Sequence, residues 1–542
     1  MSHLQQLLHL AVLLPPLAYL LSGALLALRS GRSSRASGFA RTVSAASAWI
    51  ALVSSFSAAA LLLLAAGPLD QVWFSVGGPW PVRFGLYFDG LSATLSLLIA
   101  FVGLVVVGFS ARSLEGERGR DAFLGRICLT LGAVLLFVVS RNLLMLAGCW
   151  MLASYGLHQL LTHYGDREAG VWAARKKFLV SRIGDVCLIA AACLCFKQFG
   201  TVDLPELFEA AGTADRGAWS STAIALCLAF AAMTKSAQIP FHSWLPETLE
   251  APTPVSALMH AGIINAGGFL LIRLSPLVVL SEAAMLTLAL VGAATALIAG
   301  TIFLTQSTTK RALAYSTVAQ MGFMILQCGL GAFSAALLHL VAHSLYKADA
   351  FLRAGTLAVR SPTADVSAVA GRRPFATLAL VAGLALTIVA GVGTGLGVDL
   401  LGKPGGVAIA AILTIAAAQL LYPMALSGRL VPVSGLFAAG LICGLYFAAY
   451  QVFDAILSAT ASSPALKVTT ASAAVTVFVV VAFVGLLLLQ AAVRFAATGK
   501  ADPSRRASWL QALYVHARNG FNLDLPFRRL AGRLWKRPLT TT

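Results

Sequence analysis

From Val475 to Leu489 the chain reads VTVFVVVAFVGLLLL, an almost continuously apolar run with no charge in it. A membrane-spanning β-strand would instead show segments of about ten residues that alternate apolar and polar. A run of this kind is a helix that crosses a bilayer. Similar runs recur along the whole chain. Only 11% of the 542 residues are charged and 58% are hydrophobic, whereas an ordinary soluble domain carries roughly 25% charged residues. A soluble fold is excluded. At about 20 apolar residues per crossing, a chain of this length can span a bilayer about fifteen times. The expected class is an all-α polytopic membrane protein, with spans near 5–28, 42–66, 87–110, 121–139, 142–163, 177–197, 220–240, 254–274, 280–304, 311–330, 333–357, 374–397, 406–427, 431–453 and 468–493.

The net charge is +18, from 39 basic and 21 acidic residues. Nucleic acid is not the partner this implies, because the basic residues sit in short loops and in the tail, which is how a membrane protein marks its cytoplasmic side. Arg29, Arg32, Arg35 and Arg41 lie between the first two spans. That loop is therefore expected inside and the N-terminus outside. Counting onward, the cytoplasmic loops hold Arg112/Arg118/Arg120, Arg167/Arg175/Lys176/Lys177, Lys310/Arg311, Arg353/Arg360/Arg372/Arg373 and Arg429, while the opposite side holds few basic residues, such as Arg83, Arg141 and Lys403. The C-terminus should then be cytoplasmic, in the inner membrane of a cell. The tail from Arg494 onward carries ten Lys or Arg against Asp502 and Asp524. Its segment Trp509 to Leu539 is amphipathic and aromatic, suited to the membrane interface, to a partner or to anionic lipid.

Met1 to Leu28 has no basic leader and is long enough to remain as the first helix. Residues 67–86 alternate around Gly-Gly and Pro, as a short external hairpin would. The eight cysteines form no CxxC pair and all fall in apolar segments, so they read as small core residues and not as metal ligands.

Ionisable groups inside the spans carry the functional signal, because each costs several kcal/mol unless it is paired, hydrated or neutralised. Arg182 and Asp185 lie three apart and can pair on one helix face. Lys235 stands five residues before Pro240, which interrupts a helix and frees carbonyls that need water or a polar cavity. Lys235 is expected to face a wet pocket, with Asp185 and Arg182 controlling it. His260 follows. His339, His343 and Lys347 repeat at i, i+4 and i+8, a stripe about 12 Å long, which suits a proton relay better than structural glue. His158 and His242 read as packing residues, and Arg273 and Lys310, near span ends, could simply reach the interface.

The segments KSAQIPFHSWLPETLEAPTPVSALMHAG (235–262), TKRALAYSTVAQMGFM (309–324) and HLVAHSLYKADAFL (339–352), with FDGLS (88–92) and SRIGDV (181–186), resemble the antiporter-like subunits of respiratory complex I and of Mrp-type cation/proton antiporters, above all the complex I L-type subunit. The resemblance runs from about residue 85 to 360. It implies an antiporter-like fold of two inverted five-helix repeats with broken helices, here 121–274 and 280–427. Residues 1–120 would be N-terminal helices with the hairpin, 431–493 further C-terminal helices and 494–542 the basic tail. It also implies a central hydrophilic axis: Lys235 as the lysine of the first half-channel, Asp185 beside it, and His260, Lys310, His339, His343 and Lys347 carrying protons onward. Arg182, Pro240 and Glu247 are supporting residues.

Three departures stand out. The family's Trp-Glu pair reads Trp150-Met151, so Asp185 must act alone or with a partner subunit. The span 374–397 has no charge where the second broken helix normally carries one, and no segment corresponds to the long lateral helix of L-type subunits. A shortened chain of this kind resembles the membrane subunit of DAB-type inorganic carbon transporters. That implies coupling of an H⁺ or Na⁺ gradient to a cytoplasmic DabA-like partner resembling a β-carbonic anhydrase, with the zinc in the partner and no cofactor in this chain. The alternative is a pumping subunit of complex I or an Mrp-type antiporter. A redox enzyme is disfavoured, since neither a dinucleotide fingerprint nor a cysteine cluster is present.

Overall fold

The computed structural model describes residues 3–30, 38–65, 67–77, 82–354, 374–399, 402–403, 405–427, 431, 433–458, 470–497 and 503–534. Helices α1 (His3–Ser30) and α2 (Gly38–Leu64) lead into an antiparallel hairpin of β1 (Leu69–Val76) and β2 (Val82–Phe88), with Leu69 opposite Phe88 and an irregularity between Val72 and Phe74. The alternating segment thus forms the expected hairpin. There follow α3 (Gly90–Ser113), α4 (Arg120–Val138), α5 (Leu143–Leu161), the long α6 (Glu168–Phe199), the short α7 (Leu204–Thr213) and α8 (Trp219–Lys235).

After an irregular stretch come α9 (Thr253–Ala261), α10 (Ala266–Arg273), α11 (Ser275–Val278), α12 (Glu282–Phe303), α13 (Thr309–Gly329) and α14 (Phe333–Arg353). Beyond them lie α15 (Pro374–Gly395), α16 (Gly406–Ser427), α17 (Val433–Ser458) and α18 (Thr470–Ala497), then α19 (Pro503–Arg518) and α20 (Leu525–Leu534) in the tail. Each expected apolar segment coincides with helix. Eleven described helical segments are long and apolar enough to cross a membrane, the stretch of α9 and α10 from Thr253 to Arg273 counting as one of them. Helices α13 and α14 are not among them, because their polar residues lower the mean hydropathy.

Two breaks matter for function. Helix α8 stops at Lys235, as Pro240 requires: a proline lacks the donor for the carbonyl four residues back and clashes with it. The groups left over find side chains, as buried backbone must. The Ile239 amide donates to Thr295 Oγ1 at 3.1 Å, and the Ser236 carbonyl accepts from Gln238 Nε2 at 2.8 Å. The second break corrects the expectation of one continuous span over 254–274. A short 3₁₀ turn at Ile263–Asn265, entered through Gly262, separates α9 from α10. In the distal half, α15 is uninterrupted and uncharged.

Helices α12 and α13 pack closely through small residues, the usual way to bring helices together in lipid. A Cβ on Gly322 would lie 2.6 Å from the Ala296 amide nitrogen.

Most charged residues that bind the elements together are paired with acids. Arg273, expected near a span end, is instead buried: its guanidinium grips Asp89 at 2.5 and 3.0 Å and Ser92 Oγ at 2.6 Å. Asp89 simultaneously caps α3 by accepting from the Ser92 amide at 2.9 Å. The FDGLS segment is therefore a capped helix start held by an arginine 184 residues away. At the hairpin end, Arg141 pairs with Asp70 and Asp203, and Arg83 with Glu206. Burial raises the Asp203 carboxyl above its ordinary value, whereas the Thr201 hydroxyl, and then Arg83, hold Glu206 below its own.

The tail packs on its own chain. The Phe527 ring meets Phe241 edge-on at 5.9 Å between centroids, and Arg528 lies 3.8 Å from Glu247. Of the loop arginines used to orient the chain, Arg32, Arg35, Arg360, Arg372, Arg373 and Arg429 lie outside the described residues. Among the cysteines, Cys128, Cys149, Cys195, Cys328 and Cys443 are buried as expected, but Cys193 is exposed and Cys187 and Cys227 are half-buried. A position on an apolar helix need not be a core position, because the outer face of a spanning helix is equally apolar where it meets lipid.

Candidate functional site

The first cluster lies where α5, α6 and α8 meet. Lys235 is buried, and its Nζ donates to Ser154 Oγ at 2.6 Å and to the Trp150 carbonyl at 3.3 Å, 4.2 Å from the centre of the Trp150 ring. The Trp150 indole N–H donates to Asp185 Oδ1 at 3.1 Å, and the other Asp185 oxygen pairs with Arg182 at 2.6 Å. The expected Arg182–Asp185 pair is present. Asp185 bonds to Trp150 and Arg182 and not to the lysine, so the indole stands between the carboxylate and Lys235.

Lys177 was taken for a cytoplasmic loop mark. It is instead buried on α6, and its Nζ donates to the Ser154 carbonyl at 2.5 Å. Its neighbour Lys176 is buried too, on Glu247 at 2.8 Å. A cavity of about 340 Å³ lined by Met151, Ser154, Lys177 and Arg182 opens beside them. Lys235 borders that cavity through Ser154, whose hydroxyl accepts from its Nζ. Met151 stands on the cavity wall, where the family pattern has a glutamate.

The second cluster lies between α13, α14 and the α9 break. His260 Nδ1 is 3.1 Å from Thr317 Oγ1 and its ring stacks on Phe351 at 4.1 Å. His343 Nδ1 is 2.6 Å from Gln320 Oε1, and its Nε2 is 3.2 Å from the His260 carbonyl. Both nitrogens of His343 therefore face oxygen. An imidazolium satisfies both, and a neutral ring satisfies one, so the site can hold the ring in either proton state. His339 Nδ1 is 3.2 Å from Gln327 Oε1, and Lys347 Nζ donates to Ser316 Oγ at 2.8 Å and the Leu313 carbonyl at 3.2 Å.

The stripe of α14 and His260 of α9 thus meet a matching polar stripe of Ser316, Thr317, Gln320 and Gln327 on α13. Sequence reasoning missed that stripe, although the i, i+1, i+4 and i+11 spacing in YSTVAQMGFMILQ carried it. A cavity of about 350 Å³ runs along His339 and His343. Lys310 stands half-buried in the first turn of α13, one turn before Leu313. Glu247 and His242 line a third, larger cleft of about 810 Å³ beneath the tail, with Arg311, Asp524 and Arg528.

Residues 140–395 match the family described as NADH:quinone oxidoreductase/Mrp antiporter, TM, and residues 73–124 match the complex I chain 5 N-terminus family. The chain is 34% identical over 507 residues to the "Probable inorganic carbon transporter subunit DabB2" of Halothiobacillus neapolitanus, covering 89% of this chain and 88% of that one. The chain belongs to the DabB family. A DabB-type relative from Hydrogenovibrio crunogenus, "Probable inorganic carbon transporter subunit DabB", is 39% identical over 288 residues, which are 53% of this chain and 55% of the relative. The fold is that of a subunit in the Mrp complex of Dietzia sp. DQ12-45-1b, with a TM-score of 0.60 at 23% identity, covering 97% of this chain and 61% of that one. This DabB-family chain is thus an antiporter-like membrane subunit.

Proposed function

We propose that the chain is the proton- or sodium-conducting membrane subunit of a two-component inorganic carbon accumulation complex, which energises a cytoplasmic DabA-like zinc partner that carries the CO₂/bicarbonate chemistry. One contrast carries this reading. Lys176, Arg141 and Arg273 are buried against carboxylates. Lys177, Lys235 and Lys347 are buried against hydroxyls and carbonyls. A lysine paired with a carboxylate strands a buried negative charge if it loses its proton, which costs several kcal/mol. A lysine on neutral acceptors strands nothing, and so can release and regain a proton.

The proposed orientation puts the N-terminus outside and the tail in the cytoplasm, in the inner membrane, with the repeats at 121–274 and 280–427. The chain's own residues move the ion; zinc belongs to the partner. Purification of the tagged chain from its native membrane should bring down one large zinc-containing soluble protein. Recovery of a set of complex I or Mrp subunits in its place would establish the alternative reading.

Asp185→Asn and Trp150→Phe should each slow proton flux, because the first removes the negative charge near Lys235 and the second removes the indole N–H that holds the carboxylate in place. General acid–base groups of this kind typically contribute about 10²-fold or more, and a group acting through another contributes less, so the expected loss is about tenfold. Flux measured with a pH-sensitive dye in vesicles tests this. Wild-type flux in Asp185→Asn would remove the carboxylate from control.

A further inference from the structure

The proposed path needs an outlet past His339, and α15 offers no charge for one. The structure supplies another element. Helix α17 carries Tyr446, Tyr450 and Asp454 at i, i+4 and i+8, the same spacing as His339, His343 and Lys347 on α14. The two helices pack together and run antiparallel at the contact: Ser334, at the start of α14, donates to Asp454 Oδ1 at 2.8 Å near the end of α17. Tyr446 lines the same cavity as His339 and His343. Tyr450 is buried one turn further on, with Lys403 Nζ 5.5 Å from its ring centre. Lys403 then pairs with Asp454 Oδ2 at 2.5 Å, the side chains being 41% and 35% exposed. The row thus starts at the half-buried His339 and ends at a carboxylate in contact with the outside of the protein.

Stabilisation does not explain this row, because a pair so exposed contributes about 0–1 kcal/mol. Two tyrosines in line between it and the cavity are not needed to hold it either.

We infer that Tyr446, Tyr450 and Asp454 of α17, with Lys403 positioning the carboxylate, form the outer mouth of the ion path and replace the charge that α15 lacks. This rests on the ion-conducting reading above. A proton bound by the Asp454 carboxylate passes to a tyrosine oxygen as that hydroxyl's own proton moves on, and so to the His339 imidazole; each hydroxyl gains one proton and loses one. Water in the cavity completes the chain, its volume giving room for several molecules at about 30 Å³ each.

The test is dye-reported proton flux in vesicles containing the chain with whatever partner co-purifies. Asp454→Asn and Tyr446→Phe should lower flux by about tenfold or more, and Asp454→Glu should keep most of it, as expected for a proton-transfer group. Exchanging the pair, Lys403→Asp with Asp454→Lys, preserves an ion pair but removes the carboxylate from the row, so flux should stay low. Recovery of wild-type flux in the exchanged pair, or wild-type flux in Asp454→Asn, would overturn the inference. Lys235→Ala in the same vesicles separates the two levels. If it abolishes flux while Asp454→Asn does not, only the mouth is misplaced; if neither matters, the conducting reading itself falls.

Discussion

Lys235→Ala is expected to abolish ion-coupled uptake while leaving the protein in the membrane at near-normal abundance. The substitution removes the titratable group at the centre of the first cluster and leaves Ser154 Oγ and the Trp150 carbonyl without their donor. An unsatisfied neutral group costs about 1–3 kcal/mol, less than the 5–15 kcal/mol by which a folded protein is stable. The chain should therefore still fold. Loss of a proton-transfer group costs about 10²–10⁴-fold, so the activity should not survive.

Lys235→Arg is the sharper variant. It keeps the positive charge and the reach to Ser154, but a guanidinium does not deprotonate in a protein. If the role of Lys235 is to exchange a proton, arginine should be as inactive as alanine. If its role is only to place a fixed charge beside Trp150, arginine should restore flux. Dye-reported flux, with membrane abundance measured on the same preparations, distinguishes the two, and an active arginine variant would remove Lys235 from the proton path.

The largest expected effect on stability belongs to Asp89 and Arg273. Both are almost fully buried, and the guanidinium makes two bonds to the carboxylate and one to Ser92. Removing one partner of a buried pair leaves an uncompensated charge and costs about 3–5 kcal/mol. Asp89→Ala loses in addition the cap of α3, worth about 1 kcal/mol. Little folded protein should be recovered from either single variant, with a clear fall in the melting temperature of what remains in detergent. Asp89→Leu combined with Arg273→Met removes both charges and should recover a substantial part of the loss, because an apolar pair of similar volume often replaces a buried ion pair without penalty. Melting of Asp89→Ala within a degree or two of the native chain would show that the pair is not structural.

These variants probe features of different legibility. The order of apolar segments was plain in the sequence, and so were the hairpin, expected over 67–86 and formed by Leu69–Val76 and Val82–Phe88, the break before Pro240 and the Arg182–Asp185 pair. All depend on residues within a few positions of one another. Lys177 was not legible. It follows Arg175 and Lys176 and looks like a loop charge, yet α6 begins at Glu168, two turns earlier, and carries it into the interior. Arg273 reads as an interfacial residue because it stands near a span end; its acidic partner is 184 residues away.

The sequence by itself determined that this is a helical membrane protein, where its helices run and that Lys235, His260 and the His339/His343/Lys347 stripe lie on them, because hydropathy and the helical repeat act along the chain. The tertiary structure decided which buried cations are neutralised by carboxylates and which rest on neutral acceptors. Lys235 meets Ser154 across 81 residues, and Lys176 meets Glu247 across 71. A lysine's chemistry is set by what it touches. That is decided only when helices far apart in sequence pack together and exclude every other partner.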